Sequence, residues 1–178
     1  MKFTLFAVLI LVSVLGYPDK GTANSTTDQA GIQAESPQDT VSRVAPDFSE
    51  KDIFDIDTIT LKNYRGKVVL LNFWGPWCPP CRAEVPDLEI LQNTYKGKLA
   101  VIGAAVFSSD AAVEQFYKEY RMNYPVIYGS FDLMEKYGKV YAFPTTIIIN
   151  KKGVITAAIV GSRSRALYEE MLKPLLSE

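Results

Sequence analysis

An α/β domain with a central mixed sheet flanked by helices is the fold class this sequence predicts, on three observations. From about Ala45 onward, strand-like and helix-like segments alternate. The runs Val68 to Phe73 and Leu99 to Phe107 are almost wholly apolar, as strands covered on both faces are. Lys151-Lys152-Gly153 separates two further apolar runs, a hairpin signal.

Each element has its own local reason. Asp47 to Ser49 and Asp57 to Leu61 read as two short strands ahead of the first buried run. A helix follows Cys78 and Cys81 and runs to about Tyr95, where Lys96-Gly97 ends it. After the second buried run, Ser109-Asp110 supplies N-cap residue types for a helix over Ala111 to Tyr120. Tyr124 to Tyr128 reads as a strand, and Phe131 to Tyr137 as a short helix stopped by Gly138. Thr145 to Asn150 and Val154 to Val160 form the hairpin. Arg163 to Leu176 closes the domain as an amphipathic helix whose apolar positions are Leu167, Met171, Leu172 and Leu175.

Upstream of residue 45 the character changes. Lys2 precedes an apolar run from Phe3 to Leu15 that is shorter than the ~20 residues needed to span a bilayer comfortably. Residues 1–16 therefore read as a signal peptide, with cleavage after Gly16 or Ala23, or else as an N-terminal membrane anchor. Residues 17–44 are rich in Thr, Ser, Gln, Asp, Gly and Ala without periodicity, and read as a flexible linker. The globular domain is expected over 45–178.

Composition narrows the chemistry. A net charge of −1 lacks the basic excess of a nucleic-acid binder. Histidine is absent, which excludes His-based nucleophile activation and imidazole metal sites. Cys78 and Cys81 are the only cysteines, too few for a structural zinc without a second chain or carboxylate ligands, so no metal is expected.

Two cysteines three apart at a helix start can close and reopen a small disulfide. The first lies where helix N-terminal amides and the dipole favour thiolate, the reactive form. Cys78 is then the nucleophile, with its sulfur accessible at the helix tip, and Cys81 the resolving thiol one turn deeper. A purely structural disulfide is the competing reading, but a bridge closing so short a loop stabilises little. Pro79 and Pro80 fill the gap, and Pro80 has no N–H to give Cys78, which leaves Cys81 as the nearer donor. Fewer donors predict a reducing couple, nearer thioredoxin's roughly −270 mV than the roughly −120 mV of a strong oxidant.

Glu84 falls on the stripe Cys81, Glu84, Leu88, Leu91, Tyr95. A carboxyl on an apolar face resists ionisation, so its pKa is expected to rise, and it can relay a proton to or from the cysteines. The competing reading has Pro86 kink the helix and swing Glu84 into water. Trp74 and Trp77 flank the pair; Trp77, next to the nucleophile, is the candidate for a substrate-facing surface.

The run from Leu71 through Cys78-Pro79-Pro80-Cys81 to Glu84-Val85-Pro86 resembles the TlpA/ResA-like thiol–disulfide oxidoreductases of the thioredoxin superfamily. So do Ala45-Pro46-Asp47-Phe48, Arg65-Gly66-Lys67 and Phe143-Pro144-Thr145-Thr146. The resemblance implies a thioredoxin-like fold with a short N-terminal strand pair and a central insertion at about Ala111 to Tyr137. It implies a cis Pro144 facing the disulfide and, with Phe143, helping to bind substrate, and it makes Glu84 the acidic residue linked to the thiols. Asn72 stands where ordinary thioredoxins usually carry a buried Asp. Gly75-Pro76 departs from the Ala-Thr frequent in the family.

The implied activity is disulfide reduction in extracytoplasmic proteins, with apocytochrome c the leading family client. The Cys78–Cys81 disulfide needs no other cofactor. The implied partners are a client protein with a cysteine pair and a membrane thiol electron donor. A peroxiredoxin-like peroxidase and a non-enzymatic module that binds client thiols are the alternatives.

Overall fold

A computed structural model describes residues 43–178; the signal or anchor segment and the linker up to residue 42 lie outside the described residues. Thirteen elements follow in chain order. They are β1 (Arg43–Val44), β2 (Ser49–Lys51), β3 (Thr58–Thr60), a 3₁₀ turn (Leu61–Tyr64), β4 (Val68–Trp74), α1 (Pro79–Thr94) and β5 (Leu99–Ala105). After these come α2 (Asp110–Tyr120), β6 (Val126–Tyr128), α3 (Phe131–Lys136), β7 (Thr145–Ile149), β8 (Val154–Val160) and α4 (Arg165–Ser177).

Six strands form one mixed sheet in the order β1-β8-β7-β4-β5-β6. β4, β5 and β6 run parallel, because each pair is joined by a helical crossover, whereas β7 and β8 are antiparallel to their neighbours. The β7–β8 hairpin closes on Asn150, whose Oδ1 accepts from Lys152 N and Val154 N at 3.1 and 2.9 Å. β2 and β3 make a separate antiparallel pair, which docks through the Ile53 N–H to the Val126 carbonyl at 2.9 Å. This is the thioredoxin-like α/β fold, with the N-terminal strand pair and the central insertion in place.

The pleat divides β4 between two apolar layers. Val68, Leu70 and Trp74 pack with α1, α2 and α4, while Val69, Leu71 and Phe73 pack with α3 and the N-terminal segment. Asn72 shares the parity of the first set, so it faces the layer that holds the cysteines. It is paired in register with Thr146 of β7.

Several boundaries differ from the sequence expectation, each for a local reason. The sheet begins at Arg43, because Arg43 and Val44, expected in the linker, pair with Ile155 and Val154. β2 starts at Ser49 rather than Asp47, since the Asp47 carboxylate instead accepts from Lys62 N at 3.0 Å, tying down the 3₁₀ turn. β6 starts only after Pro125, which has no N–H for the ladder. β5 stops at Ala105, and Phe107 turns away with φ +48.

α4 keeps most of the expected face, with Leu172 buried and Met171 and Leu175 packed against the core. Tyr168 and Leu172, one turn apart, are its buried residues, and Leu167 is exposed. Pro86 does not swing Glu84 into water: α1 continues through it, and Cys81, Glu84, Val85, Leu88 and Leu91 form the buried face. Among the described residues, no helix is long and apolar enough to cross a membrane.

Candidate active site

β4 delivers the chain to the site, and a turn closed by Cys78 N–H to the Gly75 carbonyl, at 3.1 Å, redirects it into α1. Cys78 is the N-cap, in extended conformation, and Pro79 and Pro80 occupy the first helical positions, where a missing N–H loses no helix hydrogen bond. The sulfur of Cys78 accepts from Cys81 N at 3.3 Å, the donor left over once Pro80 is discounted. Cys78 and Cys81 form a disulfide, with their Cα atoms 5.3 Å apart.

In this bridged state Cys78 is only 3% exposed, against the expectation of an accessible sulfur. Its sulfur, bonded to Cys81, lies in the apolar layer that includes Trp74 and Leu88. Its chain neighbours Trp77, Pro79 and Pro80 are exposed, so the disulfide lies directly beneath the surface. Trp77, Phe143 and Phe107 gather on this side.

Those side chains are aromatic. Trp77 is 52% exposed and donates its indole N–H to the Val106 carbonyl at 3.3 Å. Gly75 permits this: a Cβ there would come within 2.8 Å of the indole Cε2. The departure at Gly75-Pro76 thus has a steric reason in the placement of Trp77. Phe143 meets Trp77 edge-on at 5.9 Å and Phe107 edge-on at the same distance. Phe107 is 67% exposed and held in the left-handed region, a conformation that costs a bulky residue about 1 kcal/mol or more. The Phe143–Pro144 peptide is cis, and Pro144 is buried. These residues form an uncharged lip beside the disulfide.

Beneath the disulfide the chemistry is polar. Glu84 is 2% exposed, one helical turn from Cys81. Burial raises its pKa from 4.5 to about 7; a hydrogen bond from Tyr168, the charge of Arg163 and the nearby Thr146 hydroxyl hold it down, and Asp87 pushes it up. The Tyr168 hydroxyl donates to Glu84 Oε1. Tyr168 in turn bonds Thr146 Oγ1 at 2.9 Å, and Asn72 Nδ2 donates to Thr146 Oγ1 at 2.9 Å. Glu84 Oε2 is buried without a hydrogen-bond partner among the described residues.

The fold thus gathers Trp77, Cys78, Cys81 and Glu84 on one turn-and-helix unit and brings Phe143 of the Phe143–Pro144 segment against Trp77. Phe107, Thr146 and Tyr168 were not among the residues singled out from the sequence. Tyr168 had a signal, since it is one turn before Leu172 on the last helix; Phe107 had none, because nothing local predicts its left-handed backbone. A groove of about 310 Å³, lined among others by Val140, Tyr141, Thr145 and Val160, does not include the cysteines. Among the described residues, no three His, Cys, Asp or Glu side chains cluster to hold a metal.

Comparison with known proteins bears on this site. Residues 41–158 match the AhpC/TSA family. The thioredoxin-like protein YneN of Bacillus subtilis is 34% identical over 170 residues, covering 93% of this chain and 95% of that protein. The thiol-disulfide oxidoreductase ResA of Bacillus thuringiensis subsp. konkukian is 34% identical over 173 residues, covering 96% of this chain and 95% of its own. Among solved structures, a thiol:disulfide interchange protein of the thioredoxin family from Chlorobium tepidum superposes with a TM-score of 0.71 at 30% identity. It covers 76% of this chain and 97% of that one.

Proposed function

Since the chain belongs to the AhpC/TSA family and to the ResA-like thiol–disulfide oxidoreductases of the thioredoxin superfamily, we propose that it reduces disulfides in extracytoplasmic proteins, apocytochrome c among them. The observation that carries this reading is the Cys78–Cys81 disulfide at the start of α1, with a buried carboxyl one turn behind it. A secreted thiol-disulfide isomerase from Corynebacterium glutamicum with the same fold, at a TM-score of 0.69 and 28% identity, supports the extracytoplasmic location. In this reading residues 1–16 serve as export signal or membrane anchor.

The chemistry is a two-electron exchange. The Cys78 thiolate attacks a client disulfide; a bond forms between Cys78 and one client sulfur, and the other leaves as thiolate and takes up a proton. Glu84, ionised, accepts the proton of the Cys81 thiol. Cys81 then attacks the sulfur of Cys78, the intramolecular disulfide forms, and the client departs fully reduced. A membrane thiol donor returns the two electrons. Trp77, Phe143 and Pro144, together with Phe107, hold the client chain. A single amide donor to the Cys78 sulfur among the described residues, Cys81 N, supports a couple in the reducing range.

Insulin reduction by the prereduced protein, set beside peroxide consumption, tests the reading. Expected are insulin reduction that Cys78→Ser abolishes and a mixed disulfide with client accumulating on Cys81→Ala. Peroxide turnover without insulin reduction would establish the peroxidase instead. Biological activity retained in Cys78→Ser would establish a binding module.

A further inference from the structure

The buried polar groups behind the disulfide hold a fixed number of protons, and counting them gives the network a direction. Asn72 presents an amide N–H to Thr146 Oγ1, so Thr146 is an acceptor at that end. Tyr168 has one hydroxyl proton, and it points at Glu84 Oε1. The bond between Thr146 and Tyr168 must then be donated by Thr146. Every donor in the series points the same way, from β4 through β7 and α4 into the carboxyl on α1.

We propose that Tyr168 is a positioning residue for Glu84. With Thr146 and Asn72 it forms a one-way donor chain that keeps Glu84 Oε1 an acceptor and assigns the exchangeable proton to Oε2. The proposal rests on the reading of Glu84 as proton acceptor for Cys81. The reason is again a count. A proton on Oε1 would have to be given to Tyr168, displacing its own proton onto Thr146. Thr146 Oγ1 would then accept from both Tyr168 and Asn72, and its own buried proton would have no acceptor left in the series. A proton on Oε2 disturbs nothing, because that oxygen has no partner among the described residues. The carboxyl therefore has one oxygen anchored by the fold and one that only carries the transferred proton.

The other groups around Glu84 are accounted for. Arg163, just before α4, favours its ionised form and Asp87 on α1 opposes it. Tyr124, fully buried ahead of β6, also faces Glu84, with Glu89 as its stronger neighbour, and burial keeps its own proton in place. Burial and the Glu84 charge raise Tyr168 well above the ordinary phenol range, so it stays a donor across the working pH.

Carbon-13 titration of the Glu84 carboxyl in the oxidised protein, with infrared spectra of its protonated carbonyl, tests the proposal independently of any reductase assay. In Tyr168→Phe the midpoint is expected to rise by about one pH unit, tenfold in proton affinity, and the carbonyl band to move to higher frequency as Oε1 loses its donor. Thr146→Val is expected to give a smaller rise and Thr146→Ser to restore the wild-type midpoint; these two variants carry the test if Tyr168→Phe does not fold. An unchanged carbonyl band and midpoint in folded Tyr168→Phe, or a rise in Thr146→Ser equal to that in Thr146→Val, would overturn the proposal. If wild type fails to reduce insulin while these shifts appear, the functional reading falls and the donor chain stands.

Discussion

The two sides of the disulfide are built from opposite materials. Outside it, Trp77, Phe107 and Phe143 make an uncharged lip of edge-to-face rings, two of them more than half exposed. Inside it, Asn72, Thr146, Tyr168 and Glu84 form a buried polar series with fixed hydrogen bonds. The outer surface can adapt to an apolar stretch of client chain, since edge-on aromatic contacts are weak and tolerant of geometry. The inner series cannot, because each buried polar group left unpaired costs about 1–3 kcal/mol. In the proposed function, recognition and proton handling are thereby separated by the thickness of one disulfide.

Substitutions that break one side and spare the other sharpen that division. The largest effect is expected at Glu84. Glu84→Gln removes the proton acceptor for Cys81, so single-turnover release of client from the mixed disulfide should slow by about 100-fold, within the usual range for a lost general base. The slowing should be greatest above pH 7, where wild-type Glu84 is ionised. Stopped-flow measurement across pH 5–9 checks it, and a parallel profile for both proteins would sink it.

The same carboxyl sets a stability trend. Its folded pKa of about 7 lies above the unfolded 4.5, so between these values the folded state binds more protons. Stability of the oxidised protein should therefore fall as pH rises from 4.5 to 7 and level off on either side. The shift of about 2.5 pH units corresponds to about 3 kcal/mol. Denaturant unfolding at a series of pH values should show this slope in wild type and its loss in Glu84→Gln.

On the outer side the effects are smaller. Phe107→Gly removes one ring from the lip but suits the left-handed backbone at that position. The KM for a peptide disulfide with apolar flanks should rise several-fold with kcat unchanged, while the thermal midpoint does not fall. Smallest of all, Gly75→Ala forces the Trp77 indole off its bond to Val106. Its fluorescence should shift to longer wavelength, and alkylation of reduced Cys78 should quicken modestly.

Legibility in the sequence followed the range of the interactions concerned. The N-cap position of Cys78, the single donor left by Pro80 and the burial of Glu84 beside Leu88 and Leu91 all lie within a few turns of one helix. On the last helix Met171, Leu172 and Leu175 were legible, but Leu167 is as apolar as Leu172, and only packing against α1 and the sheet selects Tyr168 in its place. The early strands were displaced because Asp47 and Pro125 act through their backbone and capping chemistry rather than through hydropathy. Cys78 was expected at the surface, and in the bridged state it is buried.

The sequence by itself determined a helix opening on a reversible disulfide, an acid on its buried stripe, and the alternation that makes an α/β sheet. Each of these is set by residues close along the chain, where propensity and periodicity act. Only the tertiary structure decided that Thr146 lies opposite Asn72, that Tyr168 reaches Glu84 from 84 residues away, and that Phe107 and Trp77 converge on Phe143. Strand register and helix docking are chosen by the packing of the whole core, and no local stretch of residues contains that choice.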